Sequence, residues 1–264
     1  MNAKTALLMC PGVYYLKTRY PYWTDRVFYL LKSWVVMMTL IVCLNEWTLT
    51  LIANWVLCLI AFFSVYDIFS SINDANLLHR EDLPTRRVYP LKIDGSFILG
   101  KTIVAIISMV AISVLLYLLN ELRTTVSLLI YMGVLSIVFL THDCISTKWR
   151  TITYLLLYAL KPILLLIPVL DNSLSYSKIS FCAAVLFSIS NWPQYAIRRA
   201  GYKWLFQGVL RVFRISFVYK ICTLLLLALL IRRNYAPMIL FAVISLTQAA
   251  VNRALGKNIL SYGH

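Results

Sequence analysis

The stretch INDANLLHREDLPTRRVYPL, residues 72–91, places carboxylates and amides ahead of arginines between two apolar runs. Asn73 and Asp74 come first, Glu81 and Asp82 follow, and Arg86 and Arg87 close the series. Oxygens in that position suit Mg2+, which binds through one or two carboxylates and keeps a substrate phosphate as a further ligand. Guanidinium groups suit the remaining phosphate oxygens, which they grip bidentately. Asp67 and Asp74 stand two helical turns apart, so a helix puts both on one face. An ionisable group at such a depth faces a cavity or a partner. Pro84 and Pro90 stiffen the connection that carries the arginines. A plain solvated loop would explain the arginines, which set topology, but not an Asn-Asp pair at the end of an apolar run. The expectation is a metal site of Asn73, Asp74, Glu81 and Asp82, with Arg86 and Arg87 on phosphate.

The elements that must carry these groups are membrane spans. Of 264 residues, 61% are hydrophobic and 13% charged, with a mean hydropathy of +0.79; a soluble domain carries about 25% charged residues. Apolar runs of about 20 residues recur, each long enough to cross a bilayer. They predict eight spans, near 28–45, 47–68, 98–120, 124–141, 150–170, 174–191, 213–231 and 235–252. The period-two alternation of a membrane barrel is absent. The chain reads as one polytopic all-helical domain, 1–264, whose two sizeable connections, 69–97 and 192–212, lie on the same side. With both termini cytoplasmic, Lys and Arg concentrate on that side, Arg232 and Arg233 being the exception. The net charge of +15 is then a matter of topology, and no nucleic acid is expected. The spacing of the two connections hints at a two-fold internal repeat. The N-terminal residues do not form a convincing cleavable signal, and their aromatic-basic continuation reads as interfacial.

Other polar groups are sparser. The six cysteines, at 10, 43, 58, 144, 182 and 222, lack metal-ligand spacing and read as small core residues. His142 and Asp143 end the fourth span, as an acid–base pair or as a polar anchor. Lys161, inside the fifth span beside Pro162, needs a partner there, and a bound phosphate would serve. Lys101, near the start of the third span, is expected to snorkel towards headgroups. Residues 201–214 are basic and aromatic, as in an interfacial helix. No acidic residue follows Asp171. Neither a phosphate-binding glycine-rich loop nor a paired-histidine metal motif is present.

Residues 72–91 resemble the first signature of the UbiA-type membrane prenyltransferase superfamily, which runs Asn-Asp, two residues, Asp, three residues, Asp, then a Pro-Thr-Lys/Arg-Arg tail. The flavour is nearest the branch that moves phosphoribose onto polyprenyl phosphate. The stretch LKTRYPYWTDR (16–26) resembles the family's Arg-Pro-x-x-Trp approach to the first span. Residues 146–162 resemble the lysine-bearing approach to the fifth, with Lys148 in the place of a phosphate-binding lysine. The stretch SISNWPQYAIRRAGYK (188–203) stands where the second signature falls. Asn73 and Asp74 match the opening pair. The next family aspartate falls on Leu77, the third on Glu81 or Asp82, and a tail arginine on Tyr89. At the second signature the family's Asp-x-x-x-Asp pair is replaced by Asn191 and Tyr195, followed by Arg198 and Arg199. Two guanidinium groups there would take over the work of a second metal ion and hold pyrophosphate directly.

The resemblance implies a bundle of eight to nine spans enclosing a prenyl diphosphate, with Mg2+ as cofactor. Asp74, Asn73 and Tyr195 would be catalytic; Arg86, Arg87, Lys148, Asn191, Arg198 and Arg199 would bind phosphate. Tyr66, Trp192 and Tyr195 could offer π faces to an allylic cation, although aromatics are equally at home at bilayer interfaces. The leading expectation is a transferase moving a prenyl group from a polyprenyl (di)phosphate to an acceptor. A terpene cyclase using the same site is an alternative. The departures at Leu77 and at the second signature favour another class, a decayed lipid-binding or structural subunit of a membrane complex. A small transporter is the weakest reading, because no span is broken near its middle.

Overall fold

The computed structural model describes residues 3–20, 22–36, 38–39, 48–80, 93–119, 121–145, 149–169, 221–223, 225 and 236–255, with backbone alone for 3–5, 76–80 and 162. Among them every regular element is a helix. Two short N-terminal helices, α1 (Ala3–Met9) and α2 (Val13–Arg19), precede α3 (Trp23–Leu30), which runs on into a π-helical turn at Leu31–Val35. Then come α4 (Leu49–Arg80), α5 (Gly95–Leu118), α6 (Leu122–Cys144), α7 (Arg150–Leu166, closed by a 3-10 turn at Ile167–Val169) and α8 (Ala236–Ala254).

Five of these segments are long and apolar enough to cross a membrane: Leu49–Ala75, Gly95–Leu118, Leu122–Cys144, Arg150–Val169 and Ala236–Ala254. They answer to five of the eight spans expected from sequence. The expected span 174–191 lies outside the described residues, as do all but four residues of 213–231 and much of 28–45.

One boundary differs in a way that matters. The connection expected at 69–97 is helical through residue 80 and again from Gly95. Nothing between Phe69 and Arg80 is Gly or Pro, so no residue there stops an α-helix. Asn73 and Asp74 therefore stand on a rigid helical end. At the start of α5, the Asp94 side chain caps the helix, accepting from Phe97 N at 2.9 Å.

Helices α4, α6 and α7 make the core. Phe69 of α4 stacks on Phe139 of α6, 4.9 Å between centroids and 2° between planes. At the other end, Trp55 of α4 donates through Nε1 to the Leu165 carbonyl of α7, 2.8 Å away. These contacts make α4 and α6 run the same way, with α7 opposed. Residues 66–75, the start of α5, the end of α6 and the start of α7 thus share one end of the bundle. Helix α5 leaves Leu99, Ile103, Ile106, Ile107, Val110 and Val114 exposed, an apolar face that acyl chains would cover.

Candidate functional site

The N-terminal helices lie on the shared end of the bundle. The turn between them needs Gly12, whose φ is +79° and whose ideal Cβ would sit 3.1 Å from Phe63 Cγ. Only glycine adopts that conformation without strain. The close approach brings α2 against α4, and the Tyr15 backbone N–H donates to Asp67 Oδ1 at 2.9 Å. The other oxygen of Asp67 takes Lys101 Nζ of α5 at 2.6 Å, and the same ammonium reaches the Cys10 carbonyl at 3.4 Å. Both side chains of this ion pair are closed to the surface. Lys101 therefore does not snorkel, because Asp67 and the α1–α2 turn supply inside the bundle what headgroups would supply outside it. Removing one member of such a pair strands the other charge, at a cost of about 3–5 kcal/mol.

One face of α4 also presents Asp74, as its spacing from Asp67 predicted. Arg19 Nη1 lies 3.1 Å from each of its carboxylate oxygens, and Tyr14 donates to Oδ2 at 2.8 Å. Burial holds the Tyr14 phenol well above its ordinary range, with Arg19 opposing the shift, so Tyr14 stays a donor. As packed, Asp74 is the counter-ion of Arg19. This does not fit a metal-ligand role: a guanidinium in contact with both oxygens repels a divalent cation approaching the same carboxylate. Of the four residues expected to hold Mg2+, Asn73 and Asp74 are described, whereas Glu81 and Asp82 lie outside the described residues. No group of three or more His, Cys, Asp or Glu among the described residues could hold a metal ion.

A third cation sits deeper. Lys161 of α7 is buried, and among the described residues no carboxylate forms an ion pair with it. Its ammonium instead meets four tyrosine rings: Tyr158 at 4.6 Å from the centroid, Tyr66 at 5.1 Å, Tyr15 at 5.8 Å and Tyr29 at 6.0 Å. Arg19 Cζ lies 6.0 Å from the same Tyr15 ring, so two cations far apart in sequence converge on one aromatic group. The Tyr29 hydroxyl is buried with no hydrogen-bond partner among the described residues. Cation–π contacts supply roughly 0.5–2 kcal/mol each, against an effective burial penalty of several kcal/mol for an ion. Two cations, a buried phenol and aromatic walls thus meet inside an apolar bundle.

His142 serves the joint between α6 and α7. One ring nitrogen, Nδ1, lies 2.8 Å from Thr153 Oγ1, and Arg150 donates to the carbonyls of Ile145 and Asp143. This is the polar-anchor alternative of the sequence reading. The cysteines depart from expectation. All four described are free, but only Cys58 is buried, while Cys10, Cys144 and Cys222 are exposed because they stand at helix ends or on outward faces.

Arg86, Arg87, Lys148, Asn191, Tyr195, Arg198 and Arg199 lie outside the described residues, as does Trp192. Sequence reasoning singled out Lys161 and Tyr66 but assigned no role to Tyr14, Tyr15 or Arg19. The one signal for Arg19 is its place in the aromatic-basic stretch 16–26. No family model matches the chain, and no curated protein or solved structure matches it.

Proposed function

We propose that the protein is an intramembrane transferase of the UbiA type, acting on a polyprenyl phosphate or diphosphate within a bundle of eight or nine spans. The observation that carries this reading is the convergence of Lys161 and Arg19 on the Tyr15 ring, at the end of the bundle that bears the Asn73–Asp74 pair. An anionic headgroup would lie against the two cations and its isoprenoid tail among apolar helices. With a diphosphate donor, the bond between the prenyl C1 and oxygen breaks and its electron pair leaves with pyrophosphate. An acceptor nucleophile then bonds to C1 and gives up its proton. Lys161 and Arg19 would stabilise the charge growing on the leaving group, and the faces of Tyr66 and Tyr158 the cation left behind.

A second reading, a lipid-binding subunit without catalysis, draws support from Asp74 being engaged by Arg19 and Tyr14. Purified protein incubated with prenyl diphosphates of several chain lengths, with Mg2+ present, separates the two. Pyrophosphate release that is lost in Lys161→Met supports the transferase. Binding of the same lipids without release, in folded protein, supports the second reading.

A further inference from the structure

Among the described residues the ionisable groups at the site do not balance. Asp67 is matched by Lys101 and Asp74 by Arg19. Among the described residues, Lys161 meets aromatic faces and no carboxylate. A buried charge without a counter-charge is unfavourable, and an anion would complete the site. Its donors indicate which kind. Lys161 offers three N–H groups and Tyr29 a buried hydroxyl without a partner among the described residues. Arg19 uses only Nη1 on Asp74, which leaves Nη2 and Nε as further donors. A carboxylate has two oxygens to meet them, whereas a phosphate monoester has three terminal oxygens and carries ≈ −1.5 to −2 at neutral pH. Its charge suits Lys161 together with a released Arg19.

We propose that Lys161 and Arg19 bind a phosphate monoester group directly, without a divalent ion, and that Asp74 is the resident counter-ion which this group replaces on Arg19. The proposal rests on the reading that the site holds a phosphorylated ligand, and it departs from the metal site expected on Asp74. A carboxylate that serves as a competing anion opposes phosphate binding, whereas one that serves as a metal ligand promotes it. The two roles predict opposite effects of Asp74→Asn.

The test is equilibrium binding of farnesyl monophosphate to the purified full chain in detergent, once with EDTA and once with Mg2+, with inorganic phosphate and farnesol alongside. Binding is expected in EDTA, weakened about tenfold or more by Lys161→Met, retained by Lys161→Arg and tightened several-fold by Asp74→Asn. Thermal unfolding of each variant checks folding, and Lys161→Arg keeps the charge where Lys161→Met loses it. Tighter binding of farnesyl monophosphate than of inorganic phosphate identifies the group as a lipid headgroup; equal binding identifies free phosphate; either supports the proposal. Binding that requires Mg2+, that Asp74→Asn abolishes or that Lys161→Met leaves unchanged overturns it and leaves the transferase reading standing. No binding of farnesyl monophosphate or diphosphate, with or without Mg2+, overturns both.

Discussion

Lys101 Nζ and Asp67 Oδ2 lie 2.6 Å apart, joining residues 34 positions distant and closing α5 onto α4. The other Asp67 oxygen holds the Tyr15 backbone, so one carboxylate ties together the N-terminal helices and two spans. This node positions Tyr15, whose ring both Arg19 and Lys161 approach, and the geometry of the candidate site depends on it.

Breaking one side of the node should therefore cost more than breaking both. Lys101→Met leaves a bare buried carboxylate, and Asp67→Leu leaves a bare ammonium. Each should lower stability by about 3–5 kcal/mol, while the double variant recovers much of that loss. Thermal unfolding in detergent measures all three. Additive losses would show that the two groups do not depend on each other.

Gly12 is the second point on which the docking of α2 turns. Gly12→Ala forces a Cβ into the left-handed region and against Phe63, 3.1 Å from Cγ. The backbone term alone is about 1–2 kcal/mol. Trimming the ring with Phe63→Leu should relieve the contact but not the backbone strain, so the double variant should fall between the two. A Gly12→Ala protein as stable as the parent would contradict the observed turn.

The sequence disclosed the long apolar segments because membrane spans write themselves as runs of composition. It also disclosed the shared face of Asp67 and Asp74, because helical spacing is local. It misplaced the end of α4, since polar residues such as Asn73 and Asn76 suggest a loop when nothing shows the helix continuing. Lys101 was misread for a related reason: a lysine near a span end snorkels unless a carboxylate waits inside, and Asp67 belongs to a different span. The pairing of Arg19 with Asp74 joins positions 55 residues apart, and no spacing rule reaches that far. The tyrosines around Lys161 come from α2, α3, α4 and α7, so each looked like an ordinary interfacial aromatic.

The Tyr14–Asp74 hydrogen bond gives a pH signature. Burial raises the folded Tyr14 pKa above its ordinary value of 10.0. Stability from this group is then fully present below about pH 10 and is lost as pH rises towards the folded value. Tyr15 and Tyr20 shift in the same direction, also through burial. Tyr14→Phe should lower stability near neutrality by about 1.5–3 kcal/mol, the contribution of a hydrogen bond to a charged group. It should also make the alkaline decline shallower. Unfolding midpoints of parent and variant measured from pH 7 to 11 check both; parallel profiles would show that the phenol titrates as it does in the unfolded chain.

Cysteine accessibility tests how the bundle sits in its membrane. Cys10 lies in the α1–α2 turn and Cys144 at the end of α6, both exposed. The Asp67–Lys101 node and the Phe69–Phe139 stack place them at the same end of the bundle. The positive-inside bias predicts that this end is the cytoplasmic one. In a background carrying Cys43→Ser and Cys182→Ser, a membrane-impermeant maleimide should label Cys10 and Cys144 in inside-out vesicles and spare both in right-side-out vesicles. Cys58, fully buried in α4, should stay unlabelled in either. Cys222 is exposed but falls in the expected span 213–231, so lipid should shield it until detergent is added. Labelling of Cys10 and Cys144 from opposite sides would break the relation on which the site depends, because the end of α4 that carries Asp74 and α2 could then not lie beside the end of α6.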